Sequence, residues 1–264
     1  MKLLEGKTAL VFGIANDHSI AWGISRAMHD HGARLAFSYS SQTLERRVRP
    51  LAEEVDAVFI ELCDVSQDED IEAVFARAAD KLGTIDILVH SIAFANREEL
   101  TGPFYETSRE GFRMVMDISV YSLVALARAA LPLMTKGGSI LTLSYYGGQK
   151  VVPNYKVMGI AKAALEATTR YLAADLGLHD IRVNAISAGP IRTLSSAGVS
   201  GFKRMYREFA AIAPLQRNIT IDDIGGAAVW LTSDLARAVT GEVLFVDAGF
   251  NILGFPTLRE QVQL

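Results

Sequence analysis

The stretch VFGIANDHSIAWGI, Val11–Ile24, decides how the chain is read. An apolar run stops at Gly13, a turn follows, and after Ser19 apolar residues recur at helical spacing. Strand, turn and helix, repeated, build a parallel sheet with helices on its faces. The unit does repeat. TALVFG, RLAFSY, AVFIELCDV, DILVHSIAF, SILTLSYY, IRVNAISAG and EVLFVDAG read as seven strands, most of them continuous apolar runs of the kind covered on both sides. Between them Ile20–His31, Thr43–Glu54, Asp68–Leu82, Glu110–Thr135, Tyr155–Leu176 and Asp222–Leu235 read as helices. No linker or repeat interrupts the alternation, so one doubly wound α/β domain is expected over residues 1–264. Asn96–Arg109, a polar connection, breaks the rhythm, and so does Pro190–Gln216, a long excursion holding its own short helix, GFKRMYREFAAI. Long loops after strand ends usually serve function.

Composition removes several classes of function. A net charge of −4 over 264 residues gives no global reason to bind nucleic acid or an anionic membrane. The one cysteine, Cys63, excludes an intrachain disulfide and fits a reducing compartment. The opening MKLLEGKTALVFG lacks the apolar core and cleavage site of a signal peptide, and no apolar run of membrane-spanning length is read. A cytoplasmic protein is expected. The histidines show no metal-ligand spacing, since His29 and His31 point away from each other on a helix; no metal site is expected.

Ligands of doubly wound sheets bind beyond the carboxyl ends of the strands, where the strand order reverses. Gly13 closes the first strand, and Ser19 is the expected N-cap of a helix whose N–H groups and dipole suit a pyrophosphate. The pattern is not G-x-G-x-x-G, because Gly23 falls inside the helix; an ordinary strand-to-helix turn fits this stretch equally well. After the second strand, SYSSQ holds neither the acid expected for ribose hydroxyls nor a cation, and Arg46 and Arg47 come later. Asp64, in CDV, can accept from an adenine amino group or cap the helix from Asp68. The small residues of HSIAFA admit a flat ring, and His90 there reads as a buried, hydrogen-bonded histidine.

In LSYYGGQKVVPNYKVMGIAK, Leu143–Lys162, three tyrosines precede a lysine. A helix turns ~100° per residue, so a partner four before Lys162 would lie beneath it, but that position is Met158. Tyr155, seven before, lies two turns down within ~20° of the same face. The lysine is expected to lean back toward it.

Together these motifs resemble the short-chain dehydrogenase/reductase superfamily, and within it the enoyl-acyl-carrier-protein reductases of bacterial fatty acid synthesis. The resemblance runs from GKTALVFGIANDHSIAWGI through DILVHSIAFA, LSYYG, PNYKVMGIAKAALEA and RVNAISAGPIRTL to TGEVLFVDAGF. Most of the superfamily places its tyrosine four before the lysine; the enoyl reductases use one seven before, here Tyr155. The resemblance implies a Rossmann fold and hydride transfer from NADH, with NADPH less favoured. It implies Tyr155 as donor to an enolate oxygen, Tyr145 as a second phenol in the pocket, and Lys162 on the nicotinamide ribose. It further implies that Gly13, Ser19, Ile20, Ser40, Asp64, Val65, Ile92, Ile191 and Thr193 line the dinucleotide. Ala95 and the loop after Pro190 would meet the acyl chain. An acyl carrier protein is the implied partner, docking near Lys203, Arg204 and Arg207, and a homotetramer is implied by analogy. The alternatives are a carbonyl (3-oxoacyl) reductase, which Met158 disfavours, and a non-catalytic dinucleotide-binding regulator.

Overall fold

The computed structural model describes residues 2–194, 196 and 201–254. In chain order its elements are β1 (Thr8–Phe12), α1 (Ile20–Asp30), β2 (Arg34–Tyr39), α2 (Gln42–Glu54), β3 (Ile60–Leu62), α3 (Asp68–Lys81), β4 (Ile87–His90), α4 (Arg109–Met116), α5 (Ser122–Ala130), β5 (Gly138–Tyr145), α6 (Val157–Leu176), β6 (Ile181–Ala188), α7 (Phe202–Ile212), α8 (Ile221–Thr232) and β7 (Val243–Val246). The seven strands form one sheet in the order β3-β2-β1-β4-β5-β6-β7, every pairing parallel. From β1 the chain works outward to β3, then crosses back to β4 and works the other way. The order therefore reverses between β1 and β4, where a crevice opens at the carboxyl ends.

Alternation along the strands sends side chains to two cores. Ala9, Val11, Leu35, Phe37, Ile87, Val89, Leu141, Leu143 and Ile186 pack on one face with Trp22, Ile24 and Met28 of α1 and Ile224 and Val229 of α8. Leu10, Phe12, Ala36, Leu88, Ile140 and Val183 pack on the other with Val74 and Phe75 of α3, Leu123 and Leu126 of α5 and Leu165 of α6. Both faces are covered, which is why the strands read as unbroken apolar runs. Gly23 belongs to this packing and not to a phosphate loop: a Cβ there would lie 2.5 Å from Ile221. A side chain at Gly225 would in turn lie 2.6 Å from the Gly23 carbonyl, so the two glycines set how closely α1 and α8 approach.

The single helix expected over Glu110–Thr135 is interrupted. A π-helical turn, Asp117–Tyr121, separates α4 from α5. It aims the Ser119 hydroxyl at both the Phe94 N–H (3.1 Å) and the Phe94 carbonyl (3.3 Å), fixing the chain beyond β4. Contrary to the sequence reading, the stretch Arg109–Leu133 is long and apolar enough to span a membrane by length and composition. Half of its most apolar window is buried within the fold, and α5 packs on α3 and α6, so its apolar character belongs to a core helix.

Candidate active site

β5 pairs with β6 as far as Tyr145, and the chain then turns sharply through Tyr146–Gly148. This places the Tyr145 phenol at the carboxyl edge of the sheet. The ring of Tyr155 meets it edge to face, with centroids 4.8 Å apart. Tyr155 reaches this position by a different route from the one expected. α6 begins at Val157, and Tyr155 lies before it between Asn154 (φ 62°) and Lys156 (φ 44°). Two left-handed residues around one tyrosine remove the helical phase, so the two-turn argument linking Tyr155 to Lys162 does not apply. Lys162 also leans elsewhere: it is 5% exposed, and its Nζ donates to the Leu143 carbonyl at 2.6 Å. The end of β5 is what joins the three side chains, with Leu143 holding the lysine and Tyr145 touching Tyr155.

Burial sets the protonation of this group. It pushes the Tyr145 phenol up to about 12, and raises Tyr155 further, with Tyr145 adding to the effect. Both hydroxyls are donors at neutral pH. Burial pulls the Lys162 ammonium down to about 8, against the opposing pull of the Glu166 carboxylate. Met158, where most of the superfamily places its tyrosine, is a buried core side chain beside Val115, Val120, Val157 and Ala161. Ala95 and Tyr155 pack against this same small cluster. His90 is fully buried as expected, with Nδ1 2.8 Å from Thr142 Oγ1 and Nε2 2.8 Å from Ser122 Oγ. The Ser122 hydroxyl gives its proton to the Ile118 carbonyl at 2.7 Å, so Nε2 is the donating nitrogen of a neutral ring.

The other expected residues stand at the carboxyl ends of β1–β4 and β6. Gly13 (φ 98°) abuts the Ser91 backbone across the crevice. Ile20 opens α1, and Ser19 occupies its N-cap position without capping it; the hydroxyl donates to the Asn16 carbonyl at 2.6 Å. The Trp22 N–H donates to the Ser19 carbonyl at 3.0 Å, and the Ile20 and Ala21 N–H groups at the start of the helix suit an anion. Ser40 is exposed beyond β2, and Val65 is buried beyond β3. Asp64 does not cap α3, whose N-cap is Gln67; its Oδ1 accepts from the Ser66 N–H and hydroxyl. Ile92 packs on the core beyond β4, Ile191 is buried beyond β6, and the Thr193 N–H donates to Ser196 Oγ at 2.8 Å. Of the Pro190–Gln216 excursion, residues 195 and 197–200 lie outside the described residues. Its helix, α7, lies over the phenols, and the Tyr145 hydroxyl donates to the Met205 sulfur at 3.7 Å.

Two carboxylates here escaped the sequence reading. Glu45, in the first turn of α2, is a carboxylate near the end of β2; it pairs with Arg49 and accepts from Gln42 Nε2 at 2.5 Å. Glu166 accepts from Ser144 Oγ at 2.6 Å and from Gln149 Nε2 at 3.2 Å. Its spacing, four residues after Lys162, was the available signal. The donor set fits a dinucleotide. Lys162 uses one of its three N–H groups on Leu143, leaving two for a vicinal diol, and the uncapped α1 terminus suits a pyrophosphate.

Many nucleotide enzymes share a sheet of this order. A buried lysine held on a strand that ends in a phenol narrows the class to short-chain dehydrogenases/reductases. A family model described as "Enoyl-(Acyl carrier protein) reductase" matches residues 13–251, and the chain belongs to that family. It is 54% identical to the enoyl-acyl-carrier-protein reductase (NADH) FabI of Bacillus cereus over 256 residues, 96% of this chain and all of that one. The crystal structure of the Bacillus cereus reductase with NADP+ and indole naphthyridinone superposes with a TM-score of 0.95, at 54% identity, covering 97% of this chain and 100% of that one. That of the Anaplasma phagocytophilum reductase in complex with NAD gives 0.93 at 50% identity, covering 97% of each chain.

Proposed function

We propose that this protein catalyses the NADH-dependent reduction of the trans-2 double bond of enoyl-acyl-carrier-protein thioesters, a step of fatty acid biosynthesis. The observation that carries the reading is the replacement at the helix: Met158 is sealed in the core, while Tyr155 brings its phenol against Tyr145. A ketone reductase protonates the oxygen on the carbon that accepts hydride. In an enoyl thioester hydride arrives at C3, and negative charge collects on the thioester carbonyl oxygen, three bonds from C3 where the ketone oxygen is one. The proton donor must stand correspondingly further away.

In this reading Lys162 and the α1 terminus hold the dinucleotide, with Gly13, Ser19, Ile20, Ser40, Asp64, Val65, Ile92, Ile191 and Thr193 along its length. When bound, NADH supplies the hydride. The Tyr155 hydroxyl donates a hydrogen bond to the enolate oxygen that develops, and a solvent proton then completes the saturated product at C2. Tyr145 holds the Tyr155 ring and walls the pocket. Ala95 and α7 meet the acyl chain. The end of β2, Tyr39–Gln42, carries no cation for a 2′-phosphate, and Glu45 neutralises Arg49 nearby, which favours NADH.

The finer assignments have their own support. Lys203, Arg204 and Arg207 are exposed on α7, above the phenols, where an acidic carrier protein can dock. Phe112 and Tyr121 on the α4–α5 stretch and Ile160 and Tyr171 on α6 leave apolar surface exposed, consistent with pairing of these helices in a homotetramer. The reduced, buried Cys63 suits the cytoplasm. The decisive assay follows NADH absorbance with crotonyl-CoA and with acetoacetyl-CoA. Consumption with the first alone supports the reading; consumption with acetoacetyl-CoA alone replaces it by a carbonyl reductase.

A further inference from the structure

Glu166 takes no part in the chemistry above, yet it is as deeply buried as Lys162, each 5% exposed. A carboxylate out of water must be hydrogen-bonded. Its two donors flank Tyr145 in sequence: Ser144 precedes it on β5, and Gln149 closes the turn that follows it. On α6 the carboxylate stands one turn after Lys162 on the same face. Among the described residues, Glu166 is the charged group that acts most on the lysine. His90 of β4 is neutral, Tyr145 and Tyr155 are protonated, and β5 offers the Leu143 carbonyl. Arg109, Glu110, Arg113, Asp117 and Arg128 on the α4–α5 stretch are all exposed to solvent.

We propose that Glu166 is a positioning residue for the reductase: it ties the Tyr145–Gln149 turn to α6 and supplies the buried negative charge that keeps the Lys162 ammonium charged for the cofactor. The proposal rests on the reading that Lys162 holds NADH. Its consequence is a pH dependence of known sign. A lysine whose pKa is depressed in the folded protein is charged below that value and loses its proton as pH rises through it, here about 8. Without the carboxylate, burial acts unopposed and the loss begins at lower pH.

Glu166→Gln separates charge from shape. The amide oxygen still accepts from Ser144, and Gln149 can turn its own amide to accept from the new N–H. NADH affinity, measured by the fluorescence of the bound nucleotide against pH, is expected to lose its alkaline limb about one pH unit earlier in this variant. Glu166→Asp keeps the charge, and its limb should stay near that of the wild type even if the protein melts earlier. Lys162→Arg stays charged throughout and should show no limb. A Glu166→Gln limb at the wild-type position, while Lys162→Met loses NADH affinity, overturns the proposal and leaves Glu166 as a structural tie. A shift in Glu166→Asp as large as in Glu166→Gln also overturns it. A limb that persists in Lys162→Arg does so too, without requiring any Glu166 variant to fold. Unchanged NADH affinity in Lys162→Met removes the reading of Lys162 itself, and this proposal with it.

Discussion

The rings of Tyr145 and Tyr155 meet edge to face, 4.8 Å between centroids and 65° between planes, although nine residues of connecting chain separate them. One is fixed by the sheet and the other by a turn with two left-handed residues, so each ring limits the rotation of its neighbour. Tyr155 therefore needs no helix to be held in place.

The two phenols should be unequal on mutation. Tyr155→Phe keeps the ring contact and removes only the hydroxyl, so kcat with an enoyl thioester should fall about 10²–10³-fold, as for loss of one oxyanion donor. Tyr145→Phe removes a hydroxyl that bonds the Met205 sulfur and should cost about tenfold or less, a hydrogen bond to sulfur being weak. Steady-state rates of NADH oxidation decide it. Equal losses in the two variants would mean that both hydroxyls touch the reacting oxygen.

Gly147 offers a subtler test of the same pair. A Cβ there would lie 2.4 Å from one edge atom of the Tyr155 ring and 3.2 Å from the Tyr145 ring. The phenol must move aside, and displacement of a catalytic group by about 1 Å can cost about 100-fold. Gly147→Ala should therefore lower kcat strongly while the melting temperature falls little, since the backbone at this glycine is not among the positive-φ positions. A fully active Gly147→Ala enzyme would show that the position of the Tyr155 ring does not matter to the chemistry.

How much of this was legible in the sequence follows from which forces are local. The strands were readable because both faces of the sheet are covered, so burial appears as continuous apolar runs. Three strands are shorter than their runs: β3 spans Ile60–Leu62 of AVFIELCDV, β4 Ile87–His90 of DILVHSIAF and β7 Val243–Val246 of EVLFVDAG. The start of α6 was not readable. Asn154 is a residue that tolerates left-handed backbone, but nothing in the type of Lys156 announces a φ of 44°. Ser19 was correctly placed at its helix terminus, yet the Asn16 carbonyl took its hydroxyl. Glu166 was overlooked for a different reason. Its partners Ser144 and Gln149 are distant in sequence, and a lone glutamate on a helix ordinarily reads as a solvated face.

His90 should make the fold sensitive to acid. Burial, with the Lys162 charge adding, holds its imidazole down at about 3, whereas the unfolded chain titrates near about 6.5. The unfolded state thus binds the extra proton first. The stability associated with neutral His90 is fully present above about pH 6.5 and is lost as pH falls from there toward 3. His90→Gln should melt earlier at neutral pH, because the Thr142 and Ser122 contacts are imperfectly replaced. The gap between wild type and variant should then shrink as pH falls from 6.5 to 4.5, a window tied to the depressed His90 value. A gap that stays constant across that window would mean His90 does not set the acid limit.

The last prediction concerns the carrier protein. An acidic partner calls for a basic surface on a chain whose net charge is −4, and α7 presents Lys203, Arg204 and Arg207 together. They are not equivalent. Arg204 Nε donates to Glu208 at 2.6 Å, one turn along, so much of its charge is already answered. Lys203 and Arg207 are four apart and share a face, which makes them the better test pair. Rim charges act chiefly on encounter rate, and their effect is screened by salt. Lys203→Glu with Arg207→Glu should lower kcat/KM for crotonyl carrier protein about tenfold or more at low ionic strength, with the deficit narrowing as salt is added. The uncharged crotonyl N-acetylcysteamine thioester should be reduced at the same kcat by wild type and double variant, because neither side chain reaches into the chemistry. It is a better control than the anionic coenzyme A ester, which a basic patch would also attract. Arg204→Ala alone should change little, being coupled to Glu208. If both substrates slowed equally in the double variant, the cluster would be holding α7 over Tyr145 and not recruiting a partner. The Met205–Tyr145 contact makes that a concrete alternative, because Met205 lies between the two mutated positions on the same short helix.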